Sequence, residues 1–172
     1  DAEWGIIHRE RDRDAARLEE FPNLVVLRTL AKAYALAGAR LGTLIASEDV
    51  VGLLKRIIPP YAIPASTIEQ VLALTEAPQR AMATARIRTL VEERGRAAAR
   101  LARMDCVARV HASDANFLLV EFRDAARALE AGKAAGLLVR DFSRAPGLAN
   151  CLRISIGTPA QNERLLAALE GP

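Results

Sequence analysis

Short apolar runs alternate with amphipathic segments along this chain, which predicts a succession of strands and helices. The runs at residues 24–27 and 41–46 predict strands, and the first has the wholly apolar pattern of a strand buried on both faces. Residues 1–4 have the pattern of a strand end. Helices are predicted over four segments: residues 12–21, 48–58, 66–76 and 80–103. Ser47 is predicted to cap the second of them.

From residue 107 onward the pattern is that of a compact α/β unit. Strands are predicted over four segments: residues 107–111, 116–122, 137–140 and 152–156. Helices are predicted over residues 124–135 and, capped by Thr158, over residues 160–169. In the last strand Arg153 alternates with the apolar Leu152 and Ile154, so it requires an anionic partner.

The long predicted helix over residues 80–103 contains the densest basic stretch of the chain. Its apolar stripe consists of Ile87, Leu90, Val91, Ala98 and Leu101. The arginines then fall mostly on the solvated side, beside Glu92 and Glu93. A nucleic-acid surface is the alternative interpretation, but no recognised binding motif accompanies it, and 24 basic residues against 21 acidic ones give a net charge of only +3.

Composition narrows the class of protein. A chain of 172 residues with 51% hydrophobic residues predicts one domain, or one and a part, with a core that needs no disulfide or metal. No apolar run approaches the roughly 18 residues of a membrane span, and no secretory signal is found. Cys106 and Cys151 form no disulfide framework, which favours a reducing compartment. The chain begins at Asp1 without an initiator Met, so we expect a preceding segment.

Several kinds of site are excluded by spacing. His8 and His111 are far apart, and the two cysteines lack paired ligand spacing, so no metal site is predicted. The chain has no glycine-rich phosphate-binding loop of either standard type and no serine nucleophile elbow.

Lys32 is the candidate chemical residue. It is one of three lysines, and it follows a predicted buried strand amid small apolar residues. Burial disfavours the ammonium form, and a free amine can form a Schiff base. Arg40, between Gly38 and Gly42, suits an anion held nearby. The alternative is that Lys32 reaches solvent and Arg40 pairs with an acid.

Residues 27–42 resemble the pyridoxal-phosphate lysine segment of class I and II aminotransferases, most closely that of the histidinol-phosphate aminotransferase family. The resemblance continues at residues 50–58, 60–61, 116–119, 139–141 and 151–158. It covers essentially the whole chain and corresponds to the C-terminal half of the family.

The resemblance implies an α/β protein of the fold-type I class, with part of a large domain and a whole small domain. Residues 1–78 would belong to the cofactor-binding large domain, residues 79–106 to a connecting helix, and residues 107–172 to the small domain. It further implies a cytoplasmic homodimeric enzyme that transfers an amino group between histidinol phosphate and 2-oxoglutarate. No nucleic-acid or membrane partner is expected.

The resemblance also implies roles for residues that face pyridoxal 5'-phosphate. Lys32 is similar to the lysine that forms the Schiff base and moves the substrate proton. Arg40 and Thr29 match the arginine and the hydroxyl that contact the cofactor phosphate. Asp1 matches the carboxylate that pairs with the pyridinium nitrogen. Trp4 stands where the family has a Tyr on the ring oxygen, and its indole only donates.

Two arginines match the substrate site of the family. Arg153 corresponds to the arginine that binds the anionic end of the substrate, and Arg140 to a second arginine associated with the substrate phosphate. The alternative is that both are surface cations at strand ends. Ala31 replaces the usual Ser, which removes one hydrogen bond to the cofactor phosphate, worth about 1 kcal/mol.

Two other functions stay open from the sequence. A threonine-phosphate decarboxylase-like lyase shares the lysine segment and needs the same phosphate-binding arginines. A degenerate, non-catalytic relative would explain Ala31 and Trp4.

Overall fold

The computed structural model describes residues 17–32 and 34–170. The strands are β1 (Val25–Thr29), β2 (Gly42–Ala46), β3 (Val107–Val110), β4 (Phe117–Phe122), β5 (Arg140–Asp141) and β6 (Cys151–Ser155). The helices are α1 (Glu48–Lys55), α2 (Ala65–Thr75), α3 (Ala77–Leu101), α4 (Ala125–Ala134) and α5 (Pro159–Glu170), with a 3-10 helix at Ala37–Ala39. The chain divides into two compact units, Asp1–Ile87 and Arg88–Pro172, with the boundary inside α3. The predicted α/β class is confirmed.

The first unit contains an antiparallel pair of strands, β1 and β2. Their register pairs Val25 with Ala46 and ends with Thr29 opposite Gly42. At this closing pair the backbones lie close, because a Cβ on Gly42 would stand 3.3 Å from the Arg28 carbonyl oxygen. The predicted strands are therefore confirmed, with β1 shifted toward the segment that follows it.

The prediction that β1 is buried on both faces is wrong for the part of the chain that the structure describes. Val25 is 40% exposed and Leu27 is 55% exposed. An apolar run shows that a strand is suited to burial, but it does not show what covers the strand. Here β1 pairs with β2 in a two-stranded sheet, and a two-stranded sheet protects few side chains.

Helices α1 and α2 occupy the predicted segments, although both end earlier than predicted. Ser47 stands at the N-cap position of α1 but does not cap it with its side chain: its hydroxyl donates to the Pro22 carbonyl oxygen at 2.9 Å. Glu48 and Asp49 in the first turn supply the negative charge that a helix N-terminus favours. The cap prediction was therefore right in position and wrong in contact.

The predicted helix over residues 12–21 is only partly testable. Residues 17–20 form a turn, closed by the Phe21 amide donating to the Arg17 carbonyl oxygen at 2.9 Å. Residues 12–16 and the strand end predicted at residues 1–4 lie outside the described residues.

The second unit is a four-stranded antiparallel sheet in the order β3-β4-β6-β5. Along β4 the side chains alternate, so that Leu118, Val120 and Phe122 are each at most 2% exposed. Leu152 and Ile154 of β6 face the same core. Helical residues complete this core: Ala97, Leu101, Ala125, Ala128, Leu165, Leu166 and Leu169. One face of the sheet is thus covered by helices.

The strand predicted over residues 137–140 is shorter than expected. The Leu137 amide donates to the Gly132 carbonyl oxygen at 2.9 Å, and Gly136 adopts φ 70°, so this segment still terminates α4. Leu138 is 87% exposed. Pairing with β6 begins only at Arg140, three residues after the Leu137 amide that bonds to the helix end.

Helix α3 carries a buried charge that the sequence did not predict. Glu93 was expected on the solvated side, but only 9% of its surface is exposed. Arg96 donates to both its carboxylate oxygens at 2.9 Å, and Asn162 Nδ2 donates to Oε2 at 2.7 Å. These hydrogen bonds, that from Arg96 first, lower the pKa of the Glu93 carboxyl below its ordinary value.

The network around Glu93 joins α3 to α5. Arg96 also pairs with Glu163 at 3.0 Å, and Arg100 pairs with Glu163 and Glu170. Asn162 accepts a hydrogen bond from the Gly157 amide at 2.8 Å and donates to the Gly157 carbonyl oxygen at 3.1 Å. Arg96 and Arg100 of α3 are therefore partners of acidic side chains, which disfavours the nucleic-acid interpretation for this part of the helix. Among the described residues no helix has the length and apolarity needed to cross a membrane.

Replacing Glu93 with Gln should lower the free energy of unfolding by about 1–3 kcal/mol near neutral pH, because Gln cannot accept the charge-assisted hydrogen bonds. The carboxylate contributes above its unfolded pKa, about 4.3, and that contribution is lost as the pH falls through the lowered folded value. The difference in the free energy of unfolding between the parent protein and Glu93→Gln should therefore become smaller at acid pH. Urea unfolding followed by circular dichroism between neutral and acid pH measures it.

Glu92→Gln is the matched control, since Glu92 is the exposed neighbour on the same helix. It should change stability little at any pH. A gap between parent and Glu93→Gln that stays constant down to acid pH would contradict the assignment.

Candidate active-site loop and arginine pair

The candidate lysine lies on a loop closed by the β1–β2 ladder. Residues 30–41 connect the paired residues Thr29 and Gly42. The Leu36 amide donates to the Leu30 carbonyl oxygen at 3.2 Å, which closes a smaller turn around Lys32. Lys32 and Arg40 therefore belong to one loop whose two ends are fixed by strand pairing.

Thr29 fixes both ends of this loop through its hydroxyl group. The hydroxyl accepts a hydrogen bond from the Ala31 amide at 3.0 Å, and its O–H donates to the Leu41 carbonyl oxygen at 3.4 Å. A Ser or Thr hydroxyl bonded two residues ahead is a common way to initiate a turn. The bond to Ala31 uses its backbone amide, so the replacement of the family's Ser leaves this contact intact.

Two non-glycine residues of the loop have left-handed backbone. Ala35 has φ 56° and Arg40 has φ 50°. Such residues cost of order 1 kcal/mol or more each and are concentrated at functional sites. The Arg40 side chain is exposed, and its Nη1 donates to the Ala37 carbonyl oxygen at 3.2 Å.

Thr67 is a structural residue of this site that sequence reasoning missed. It is 7% exposed, on α2, and its hydroxyl donates to the Ala39 carbonyl oxygen at 3.4 Å. The contact joins residues 28 positions apart and holds the 3-10 helix that precedes Arg40. The sequence did not single out Thr67, because a polar residue in the first turn of a helix is common. Its burial, which marks it as structural, is visible only in the fold.

The expectation that Lys32 is buried is wrong for the described residues. Its side chain is exposed, whereas Thr29, Leu30 and Ala31 are half-buried. The sequence indicated small apolar neighbours, but β1 and β2 form a narrow sheet that leaves the loop open. The alternative was that Lys32 reaches solvent and that Arg40 pairs with an acid. The exposure of Lys32 agrees with its first part. Its second part is not found in the hydrogen bond of Arg40, which runs to a backbone carbonyl oxygen.

Arg140 and Arg153 lie directly opposite each other in the β5–β6 ladder. Directly opposed side chains stand about 5 Å apart at Cβ on one face of a sheet, and like charges there repel. Leu152 and Ile154 point to the core, so both arginines project from the face of the sheet opposite to the core. The predicted alternation around Arg153 is confirmed.

Aromatic rings surround the guanidinium group of Arg153. Its Cζ atom lies 5.1 Å from the Phe117 ring centre and 5.7 Å from that of Phe142, and Arg140 lies 5.4 Å from Phe142. The Arg153 Nε atom is buried and has no hydrogen-bond partner. A buried donor without a partner costs about 1–3 kcal/mol.

The remaining predicted site residues give mixed outcomes. Asp1 and Trp4 lie outside the described residues. Within residues 17–32 and 34–170 no three metal-ligating side chains come together, and both cysteines are free. Phe142 was not singled out from the sequence, because its contact with the arginines depends on the strand register.

Solved structures of a decarboxylase and of an aminotransferase share this fold. The L-threonine-O-3-phosphate decarboxylase of Porphyromonas gingivalis matches with a TM-score of 0.76 and 29% identity over 91% of this chain and 48% of that one. The histidinol-phosphate aminotransferase of Sinorhizobium meliloti, in complex with pyridoxal-5'-phosphate, matches with a TM-score of 0.67 and 25% identity over 87% and 40%. The expected fold-type I class is thereby confirmed.

The chain belongs to the class I and II aminotransferase family, whose model matches residues 5–169. It is similar to the histidinol-phosphate aminotransferase of Stenotrophomonas maltophilia, with 43% identity over 95% of this chain and 45% of the relative. The corresponding enzyme of Xylella fastidiosa is 48% identical over 88% of this chain and 42% of the relative. The chain thus spans less than half the length of these curated relatives.

Proposed function

We propose that this chain is part of a pyridoxal-phosphate-dependent aminotransferase that exchanges an amino group between histidinol phosphate and 2-oxoglutarate. The observation that carries the proposal is the opposed pair Arg140 and Arg153, with the buried, unpartnered Nε of Arg153. Two adjacent guanidinium groups suit a phosphate, which accepts several charge-assisted hydrogen bonds. Curated relatives with 43–48% identity carry the corresponding name, which supports this choice of substrate.

The donor set of the lysine loop fits pyridoxal phosphate. Lys32 and Arg40 are both exposed residues of the same loop, and they carry the amine and the guanidinium group that the cofactor would need. Thr29 would contribute its hydroxyl near the phosphate, and Asp1 and Trp4 would face the ring. When bound, the cofactor supplies an electron sink for the substrate Cα. The proposed division into residues 1–78, 79–106 and 107–172 follows these roles.

The proposal gives four residues of the chain a role in binding or in proton transfer. The Lys32 amine would hold the cofactor and then move a proton at the substrate Cα. Arg40 would hold the cofactor phosphate. Arg140 and Arg153 would bind the phosphate of histidinol phosphate, and Arg153 would bind a carboxylate of glutamate in the second half-reaction.

Labelling tests the role of Lys32. Pyridoxal phosphate is added, the mixture is reduced with borohydride, and the modified peptide is mapped. We expect the label on Lys32 in preference to Lys55 and Lys133, and Lys32→Arg should abolish it because guanidinium does not act as the amine. Lys55→Arg is the matched control. Equal labelling of all three lysines would refute the assignment, and an unlabelled chain would favour the non-catalytic interpretation.

Substitution of the two arginines tests the substrate site. In the cofactor-loaded enzyme, Arg153→Gln should raise KM for both histidinol phosphate and glutamate by about tenfold to a hundredfold, the loss expected for a charge-assisted hydrogen bond. Arg140→Gln should raise KM for the phosphate substrate alone. The exposed Arg144 provides the control Arg144→Gln. Unchanged KM values for both variants would refute the anion site.

A threonine-phosphate decarboxylase-like lyase is the second candidate. It is favoured by the match to the Porphyromonas gingivalis decarboxylase, with its TM-score of 0.76. Such an enzyme would use the same arginines for the phosphate of its substrate. Product analysis in the assay above distinguishes the two: turnover that requires a keto acid identifies the transferase, and release of carbon dioxide identifies the lyase.

We also propose a cytoplasmic homodimer. The first unit exposes a set of large apolar side chains: Leu53, Ile57, Ile58, Tyr61, Ile63, Ile68 and Leu72. Exposed large apolar side chains in this number support an interface in this unit. The two free cysteines suit a reducing compartment.

Sedimentation equilibrium tests the dimer. Ile57, 75% exposed, is replaced with Asp, which should raise the dimer dissociation constant at least about tenfold because a charge would be desolvated in the interface. Leu138→Asp is the matched control, since Leu138 is 87% exposed but lies in the other unit. A mass that is monomeric in the parent, or unaffected by Ile57→Asp, would contradict the proposal.

A further inference from the structure

Phe142 is the shared neighbour of the two arginines. It follows β5 directly, and its amide donates to the Cys151 carbonyl oxygen at 3.0 Å, which fixes the backbone beside β6. Its ring lies 5.4 Å from Arg140 Cζ and 5.7 Å from Arg153 Cζ. One ring therefore contacts both members of a like-charged pair.

The contacts of the two arginines are unequal. Arg153 has a second ring, Phe117, at 5.1 Å, whereas the aromatic contact of Arg140 is Phe142. A ring attracts the face of a guanidinium group, while the N–H donors of that group lie in its plane. A ring beside each guanidinium thus restrains it, while the N–H donors in the guanidinium plane can still serve an anion.

We propose that Phe142 is a positioning residue that holds Arg140 beside Arg153 and thereby sets the preference of the site for a phosphate dianion over a carboxylate. This inference rests on the proposed function, in which the two arginines bind the anionic end of the substrate. A phosphate dianion has the charge and the oxygen atoms to engage both guanidinium groups. A carboxylate is satisfied by one bidentate arginine, and Arg153 keeps its Phe117 contact when Phe142 is lost.

The test compares the two half-reactions in the complete cofactor-loaded protein. Phe142→Leu removes the ring while retaining an apolar side chain. We expect KM for the phosphorylated amine to rise about three- to tenfold, the range of a lost cation–π contact, with KM for glutamate and both kcat values unchanged within about twofold. Phe142→Tyr retains the ring and should restore the parent values.

Binding of simple anions gives a readout independent of turnover. Inorganic phosphate and acetate are titrated separately, and binding is followed by the NMR signals of the arginine Nε–H groups. Phe142→Leu should weaken phosphate binding about three- to tenfold and leave acetate binding unchanged. Phe21→Leu is the matched control, because Arg17 lies 4.8 Å from that ring in the other unit.

The outcomes separate this inference from the proposed function. Equal weakening of phosphate and acetate, or failure of Phe142→Tyr to restore phosphate binding, would overturn the role of Phe142 alone. The role of Phe142 would also be overturned if Phe142→Leu left phosphate binding unchanged while Arg140→Gln weakened it. If neither Arg140→Gln nor Arg153→Gln weakens it, the proposed function falls, and this inference falls with it.

Discussion

The antiparallel register of β5 and β6 is the constraint on which the candidate substrate site depends. It places Arg140 opposite Arg153, where two positive charges repel across neighbouring strands. The ring of Phe142 faces both guanidinium groups and offsets part of that repulsion. The remaining cost, an unpartnered buried Nε, is the kind of local instability that a protein retains where a ligand binds.

The rest of the second unit makes this register possible. A close-packed core under β4 and β6 fixes which side chains of β6 face inward, so Arg153 must face outward. Glu93 and Asn162 fasten the turn at Gly157, which follows β6, to helices α3 and α5. A buried carboxylate is stable there because Arg96 and Asn162 satisfy both its oxygens. These polar contacts therefore fix the chain immediately after β6, the strand that carries Arg153.

The lysine loop of the first unit, residues 30–41, is stabilised in a different way. Its shape is held by backbone pairing and by two threonine hydroxyls, Thr29 and Thr67, rather than by an apolar core. Strained backbone at Ala35 and Arg40 is retained within that frame. Lys32 is exposed on this loop. The strand pairing and the two hydroxyl contacts, all made within this chain, hold the loop in its shape.

Local pattern determined much of this protein. Apolar periodicity predicted the strands and helices between residues 24 and 170 to within a few residues. The outward alternation of Arg153 followed from its two apolar neighbours. These features depend on residues close in sequence. The tertiary structure decided the exposure of Lys32, the burial of Glu93 and the contact of Phe142 with two arginines. Each of these depends on residues distant in sequence, such as Asn162 for Glu93 and Arg153 for Phe142, which periodicity alone does not bring together.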